Sequence, residues 1–254
     1  LVALLLIIIF YKKMPATKDT TGLSFGATVG KLLKRKHYTL GVVAQFFYVG
    51  AQIGVWSYTI RYVMLALGLV DPATSEIFPA KVQGFIAEHN LWSSIWQLDE
   101  NSTAENIGNS FYLFSLILFT VSRFIFTALM RYFRPGILLS VAATGAIISA
   151  AIAIFATGMT GVIGLVAISF FMSLMFPTIY GIALEGISEA EAKVGGSFLV
   201  MAILGGAILT AIQGYVSTTL NSINFAYWIP VVCFIVVGVY GIIANKEEKE
   251  FGYE

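Results

Sequence analysis

The stretch PGILLSVAATGAIISAAIAIFATGMTGVIGLVAISFFMSLMFPTIYGIAL, residues 135–184, runs for 50 residues without one charged side chain. A second such run covers 194–245, and shorter ones cover 38–60 and 106–122. The hydrocarbon core of a bilayer is crossed by about 20 apolar residues in a helix. The two long runs therefore hold two spans each and the two short runs one each, which makes six. The rest of the composition agrees: of 254 residues, 58% are hydrophobic and 11% charged. Soluble domains carry about 25% charged residues, so this chain has too few to cover a water-facing surface. The fold class is all-α integral membrane. Intrinsic disorder is excluded by the same figures, and a net charge of +1 gives no reason to expect a nucleic-acid partner.

The spans fall at about 39–66, 108–130, 136–157, 161–184, 195–217 and 225–244, within a bundle of 39–245. Pro135-Gly136 opens the third, Gly158 to Gly161 reads as a turn, and Pro177 lies inside the fourth. Residues 1–10, LVALLLIIIF, form an apolar run of about 15 Å as a helix, half a bilayer. No basic region precedes it and no small-residue cleavage site follows, so a signal peptide is the weaker reading. Residues 1–11 are expected to be the end of a transmembrane helix whose beginning is absent.

Lysine and arginine set the topology. Segment 12–36 carries seven cations against one anion, Asp19. The loop at 67–107 is acidic, with Lys81 its one cation. Arg131, Arg134, Lys193, Lys246 and Lys249 fall in alternate connections, so 12 of the 15 cations lie on one side. The positive-inside rule puts the 12–38 linker, the 131–135 turn, the 185–193 loop and the 246–254 tail in the cytoplasm, and 67–107 outside. Segment 23–36 reads either as a short amphipathic stretch on the membrane surface, its cations favouring anionic lipid, or as a solvated linker. Trp92 and Trp96 are candidate interfacial anchors on a re-entrant turn.

Polar residues inside the spans form stripes. Gln45, Tyr48, Gln52, Trp56 and Thr59 recur at steps of 3, 4, 4 and 3, within about 60° of arc on a helix. Each amide in hydrocarbon demands a partner, so this face looks into protein or water. Amides with an indole and a phenol suit a sugar: amides engage hydroxyls in pairs, and aromatic faces stack on the C–H face of a pyranose. Helix–helix hydrogen bonding is the competing use. Tyr112, Ser115, Phe119, Arg123 and Phe126 share a face of the second span, and Arg123 costs about 2.5–3.5 kcal/mol there on insertion scales. It is a gating or pairing candidate. Ser169, Ser173, Phe176 and Tyr180 share a face of the fourth span. Ala202, Gly206, Thr210 and Gln213 follow at near four-residue spacing in the fifth, a packing pattern with Gln213 a weaker cavity candidate.

No Asp or Glu lies well inside a span. A single cysteine and two separated histidines give no metal site. No cofactor is called for, and no nucleophile–base constellation supports a membrane enzyme.

Four segments resemble one family. AQFFYVGAQIGVWSYTIRY (44–62), SRF (122–124), FMSLMFPTIY (171–180) and GGSFLVMAILGG (195–206) are similar, in order, to helices seven, eight, ten and eleven of the L-fucose:proton symporter family of the major facilitator superfamily. The resemblance implies the six-helix C-terminal half of a sugar permease, preceded by the end of helix six. It implies a multi-pass bacterial inner-membrane protein with a cytoplasmic C-terminus, a missing N-terminal half as partner, a hexose or deoxyhexose substrate and protons as coupling ion. Alternating access about a central site follows. Helices seven and ten line that site, which favours Gln45, Tyr48, Gln52 and Trp56 as sugar-facing, with Ser173 and Tyr180 behind them. Coupling carboxylates would belong to the absent half. Met175, Glu185 and a longer outer loop depart from the fucose pattern and admit glucose or galactose as substrates. A carrier for another small solute and a non-transporting six-helix subunit are the alternatives.

Overall fold

A computed structural model describes residues 25–250. The apolar start at 1–11, the first half of the basic segment and the last four residues lie outside the described range. The described chain is helical throughout, with one isolated β-bridge, Val70 to Ile77, in the long loop. The helices are α1 Phe25–Lys34, α2 Lys36–Ala66, α3 Pro79–Glu88, α4 Asn90–Trp96, α5 Ala104–Leu129, α6 Pro135–Phe155, α7 Gly158–Met172, α8 Met175–Leu184, α9 Glu189–Met201, α10 Leu204–Thr219, α11 Ile223–Ala226 and α12 Trp228–Glu250. Six stretches are long and apolar enough to cross a membrane: α2, α5, α6, α7 with α8, α9 with α10, and α11 with α12 up to Lys246.

Three of the six are broken, each where the sequence supplies a cause. Pro177 has no N–H to offer the carbonyl of Ser173 and its ring crowds that turn. The helix accordingly opens at 173–174, between α7 and α8. The α9–α10 break at 202–203 immediately precedes Gly205-Gly206, a pair that tolerates a kink. Pro230 sits in the first turn of α12, where its missing N–H would have no helical partner. Between α6 and α7 the chain turns at Gly158 with φ +64°, a left-handed conformation that costs glycine nothing.

α2 is the central post: α5, α7, α8, α10 and α12 all pack against it. Its inner face buries Ala44, Tyr48, Ala51, Val55, Tyr62 and Val63. α6 and α12 approach each other closely along small residues. A Cβ on Gly136 would stand 2.8 Å from the backbone nitrogen of Asn245, so glycine is what permits the approach. α10 seats on α2 in the same way, since a Cβ on Gly205 would stand 2.0 Å from the carbonyl oxygen of Phe46. Without a hydrophobic force between helices in lipid, this close van der Waals packing is what holds such a bundle together.

Residues 25–34 of the basic segment, helix α1, pack on protein. The helix docks on the bundle through Leu32, which is buried with Tyr38, Ala183 and Leu199. Lys31 Nζ pairs with Glu191 in the first turn of α9, and Arg35 donates to the Gly186 carbonyl at 2.9 Å. In the long loop, α3 and α4 fold back over α5. Trp92 stacks on Phe111 with centroids 4.5 Å apart and donates its indole N–H to Ser110 Oγ at 2.8 Å. Trp92, expected as a membrane anchor, pins the loop to the bundle.

Candidate functional site

The polar stripe of α2 faces the break between α7 and α8. Tyr48, fully buried, donates its hydroxyl to the carbonyl of Met172 at 2.9 Å, one residue before the break. Its ring meets Phe176 edge-on, centroids 6.2 Å apart. Two helical turns further, Trp56 donates its indole N–H to Ser169 Oγ at 3.2 Å and stands edge-on to Phe119 of α5 at 5.1 Å. Gln52 lies between them, half-buried like Trp56, Phe119 and Phe176. These side chains meet along a seam between α2, α5 and the broken α7–α8 helix. Arg123 of α5 is exposed and forms no ion pair among the described residues.

The other sequence candidates are distributed differently. Ser173 is buried and its hydroxyl donates back to the Phe170 carbonyl at 3.0 Å. Thr59 likewise bonds its own helix, to Val55. Tyr180, half-buried, lies over Gly196 at the α1 end of the bundle, against the cluster around Leu32 and Leu199. Gln45 is fully buried, yet neither its amide oxygen nor its amide nitrogen has a hydrogen-bond partner. Gln213 on α10 is in the same condition, 1% exposed and unpaired, with its amide oxygen lying on the flat surface that Gly54 leaves on α2. A buried, unpaired amide costs on the order of 1–3 kcal/mol per group. The seam thus offers half-buried amide, indole and phenyl surfaces beside a helix break, a set able to bind a polyol through paired hydrogen bonds and ring stacking.

Phe119 was visible in the sequence as part of an α5 stripe, but its role as the wall facing Trp56 was not. The pairing of Gln213 with Gly54 was also not legible, although a glycine at 54 beside glycines at 205, 206 and 214 carries the signal of two helices in close approach.

No protein-family sequence model matches the chain. Individual relatives do. The L-fucose-proton symporter of Haemophilus influenzae is 37% identical over 247 residues, covering 94% of this chain and 49% of that protein. The Escherichia coli L-fucose-proton symporter is 32% identical over 94% of this chain and 48% of its own length. The solved E. coli fucose:proton symporter superposes with a TM-score of 0.75 at 30% identity, over 96% of this chain and 52% of that one. The chain is homologous to the fucose:proton symporters, sugar permeases of the major facilitator superfamily. It has the architecture of one six-helix half of such a transporter. A glucose/galactose transporter of Brucella abortus is a further relative, 30% identical over 217 residues. The chain spans about half the length of the symporters it matches. These relatives are transporters and not enzymes. The seam lies between the first and fourth of the six spans, with the second as its wall.

Proposed function

We propose that this chain is the C-terminal half of a proton-coupled hexose or deoxyhexose symporter that works by alternating access. The observation that carries the reading is the seam itself: Gln52 and Trp56 present a half-buried amide and indole beside Phe119 and Phe176, at a break in the facing helix. In this reading Gln52 and Trp56 contact the sugar. Tyr48 and Ser173 hold the broken helix behind them, Gln45 supplies an unspent amide to the same face, and Tyr180 lies toward the cytoplasmic end. Arg123 and Gln213 gate or pair. Relatives named for L-fucose and for glucose and galactose support the sugar class. The partner is an N-terminal six-helix half carrying the coupling carboxylates, which fits six spans that hold no acid near their centres. The protein sits in a bacterial inner membrane with its C-terminus in the cytoplasm, on the positive-inside argument.

The test is uptake of labelled L-fucose, D-glucose and D-galactose into proteoliposomes holding the full protein that carries this chain. An inward proton gradient is expected to drive accumulation of at least one sugar. Uptake indifferent to the gradient overturns the symport reading, and no uptake of any of the three overturns the sugar class.

A further inference from the structure

A second concave feature lies away from the polar seam. A groove of about 430 Å³ opens between the loop helices α3 and α4, the first half of α7 and the middle of α5. His89 and Trp92 roof it, Phe114 and Leu118 form one wall, and Ile163 and Ala167 the other. The Trp92 indole N–H and the His89 Nδ1 are already committed. Trp92 donates its indole N–H to Ser110, and His89 Nδ1 lies 3.1 Å from the Phe85 carbonyl with its ring stacked on Phe85. What faces the groove is ring carbon and aliphatic surface, which has nothing to offer a sugar hydroxyl.

Its depth is set by helix geometry. Phe114 and Leu118 lie ten and fourteen residues inside α5, about 15–21 Å from its start at Ala104; Ile163 and Ala167 lie about 8–14 Å inside α7. These depths fall within the roughly 30 Å of hydrocarbon. The groove is also continuous with an apolar stripe down α5: Phe114, Ile117, Val121 and Phe124, at steps of 3, 4 and 3, are all exposed, and α5 is the least buried of the six spans. On the other wall Ile163 is 62% exposed. A single turn of helix with its side chains, about 10 Å across, occupies roughly 420 Å³. The groove therefore has no room for a membrane helix, but it suits a slim, flexible hydrocarbon chain.

We infer that this groove is a binding site for one phospholipid acyl chain, entering along the α5 stripe and capped by Trp92 and His89. The bound chain fills the space beneath α3 and α4 and couples the long loop to the surrounding bilayer. The inference is independent of what the polar seam transports.

The test reconstitutes the full protein carrying this chain into nanodiscs containing a phospholipid with a photoactivatable diazirine in its acyl chain, and maps adducts by mass spectrometry. Labelling at Phe114 and Ile163 is expected to exceed, several-fold, that at Ile148, an exposed apolar residue on α6. A probe with the diazirine in its headgroup is expected to leave the groove unlabelled. Ala167→Phe, which fills the groove, should cut groove labelling at least threefold and leave Ile148 unchanged. Equal labelling at the three residues overturns the inference, because it describes ordinary lipid contact. A groove free of adducts while Ile148 is labelled also overturns it, since another part of the protein then fills the space. The comparison of the two probes on the unmodified protein stands even if Ala167→Phe fails to fold.

Discussion

The hydroxyl of Tyr48 is the most economical place to separate architecture from binding. Tyr48→Phe removes one oxygen and keeps the ring, so the edge contact with Phe176 persists and no cavity large enough to collapse is made. What is lost is the hydrogen bond to the Met172 carbonyl, 2.9 Å long and fully buried at a helix break. Pro177 has already removed one donor from that turn. Leaving a buried acceptor unpaired costs about 1–3 kcal/mol. For a domain of this size each kcal/mol corresponds to roughly 2–4 °C in Tm, so the variant should melt about 2–12 °C lower. The assay is thermal unfolding of the detergent-purified full protein, with Tyr132→Phe as control, because Tyr132 is 84% exposed and its hydroxyl carries no comparable bond. Hydrogen exchange at residues 173–176 should rise in parallel. A Tm within a degree of the control, together with a tenfold weaker sugar affinity, would refute the assignment. That pair of results means the phenol addresses the substrate rather than the broken helix.

Trp56→Ala and Gln52→Ala in the full protein should each weaken sugar binding by about 1–3 kcal/mol, or about 5- to 150-fold in Kd by calorimetry. Unchanged affinity returns the stripe to a packing role. Trp56→Phe keeps the edge contact with Phe119 and loses only the bond to Ser169, so its loss should be the smaller of the two Trp56 variants. Gly205→Ala places a methyl where only 2.0 Å separates it from the Phe46 carbonyl oxygen. It should force α2 and α10 apart at a cost of at least about 1–3 kcal/mol, visible as a lower Tm or loss of monodisperse protein on size exclusion. Lys31→Met should lower Tm only slightly, since Lys31 is largely exposed and Arg35 remains 3.9 Å from the Glu191 carboxylate. A large drop would mean that α1 is held by the ion pair rather than by Leu32.

Number and placement of spans were legible because the bilayer reads a chain by length and hydropathy alone, and 135–184 and 194–245 have no charge to misread. The stripe on α2 was legible because helical periodicity puts Gln45, Gln52 and Trp56 on one face whatever surrounds them. Pro177 announced a break. The resemblance in four ordered segments named the family before any coordinates. What each polar group does was not legible. Tyr48 meets a carbonyl 124 residues away, and Ser173 satisfies its own helix, distinctions that depend on which helix stands opposite. The same holds for residues 25–34 of the basic segment, which periodicity left open between membrane surface and solvent. Leu32 resolves it by finding Ala183 and Leu199.

By itself, then, the sequence determined solvent, span count and the existence of a polar face, because each follows from local composition and the fixed pitch of a helix. Only the tertiary structure decided where that face points, which of its hydroxyls are already spent on backbone carbonyls, which amides remain unpaired, and that α3 and α4 roof an apolar groove. Those properties depend on the distance between atoms far apart in the chain. Glycine-to-backbone approaches of a few ångströms set those distances, and no local rule encodes them.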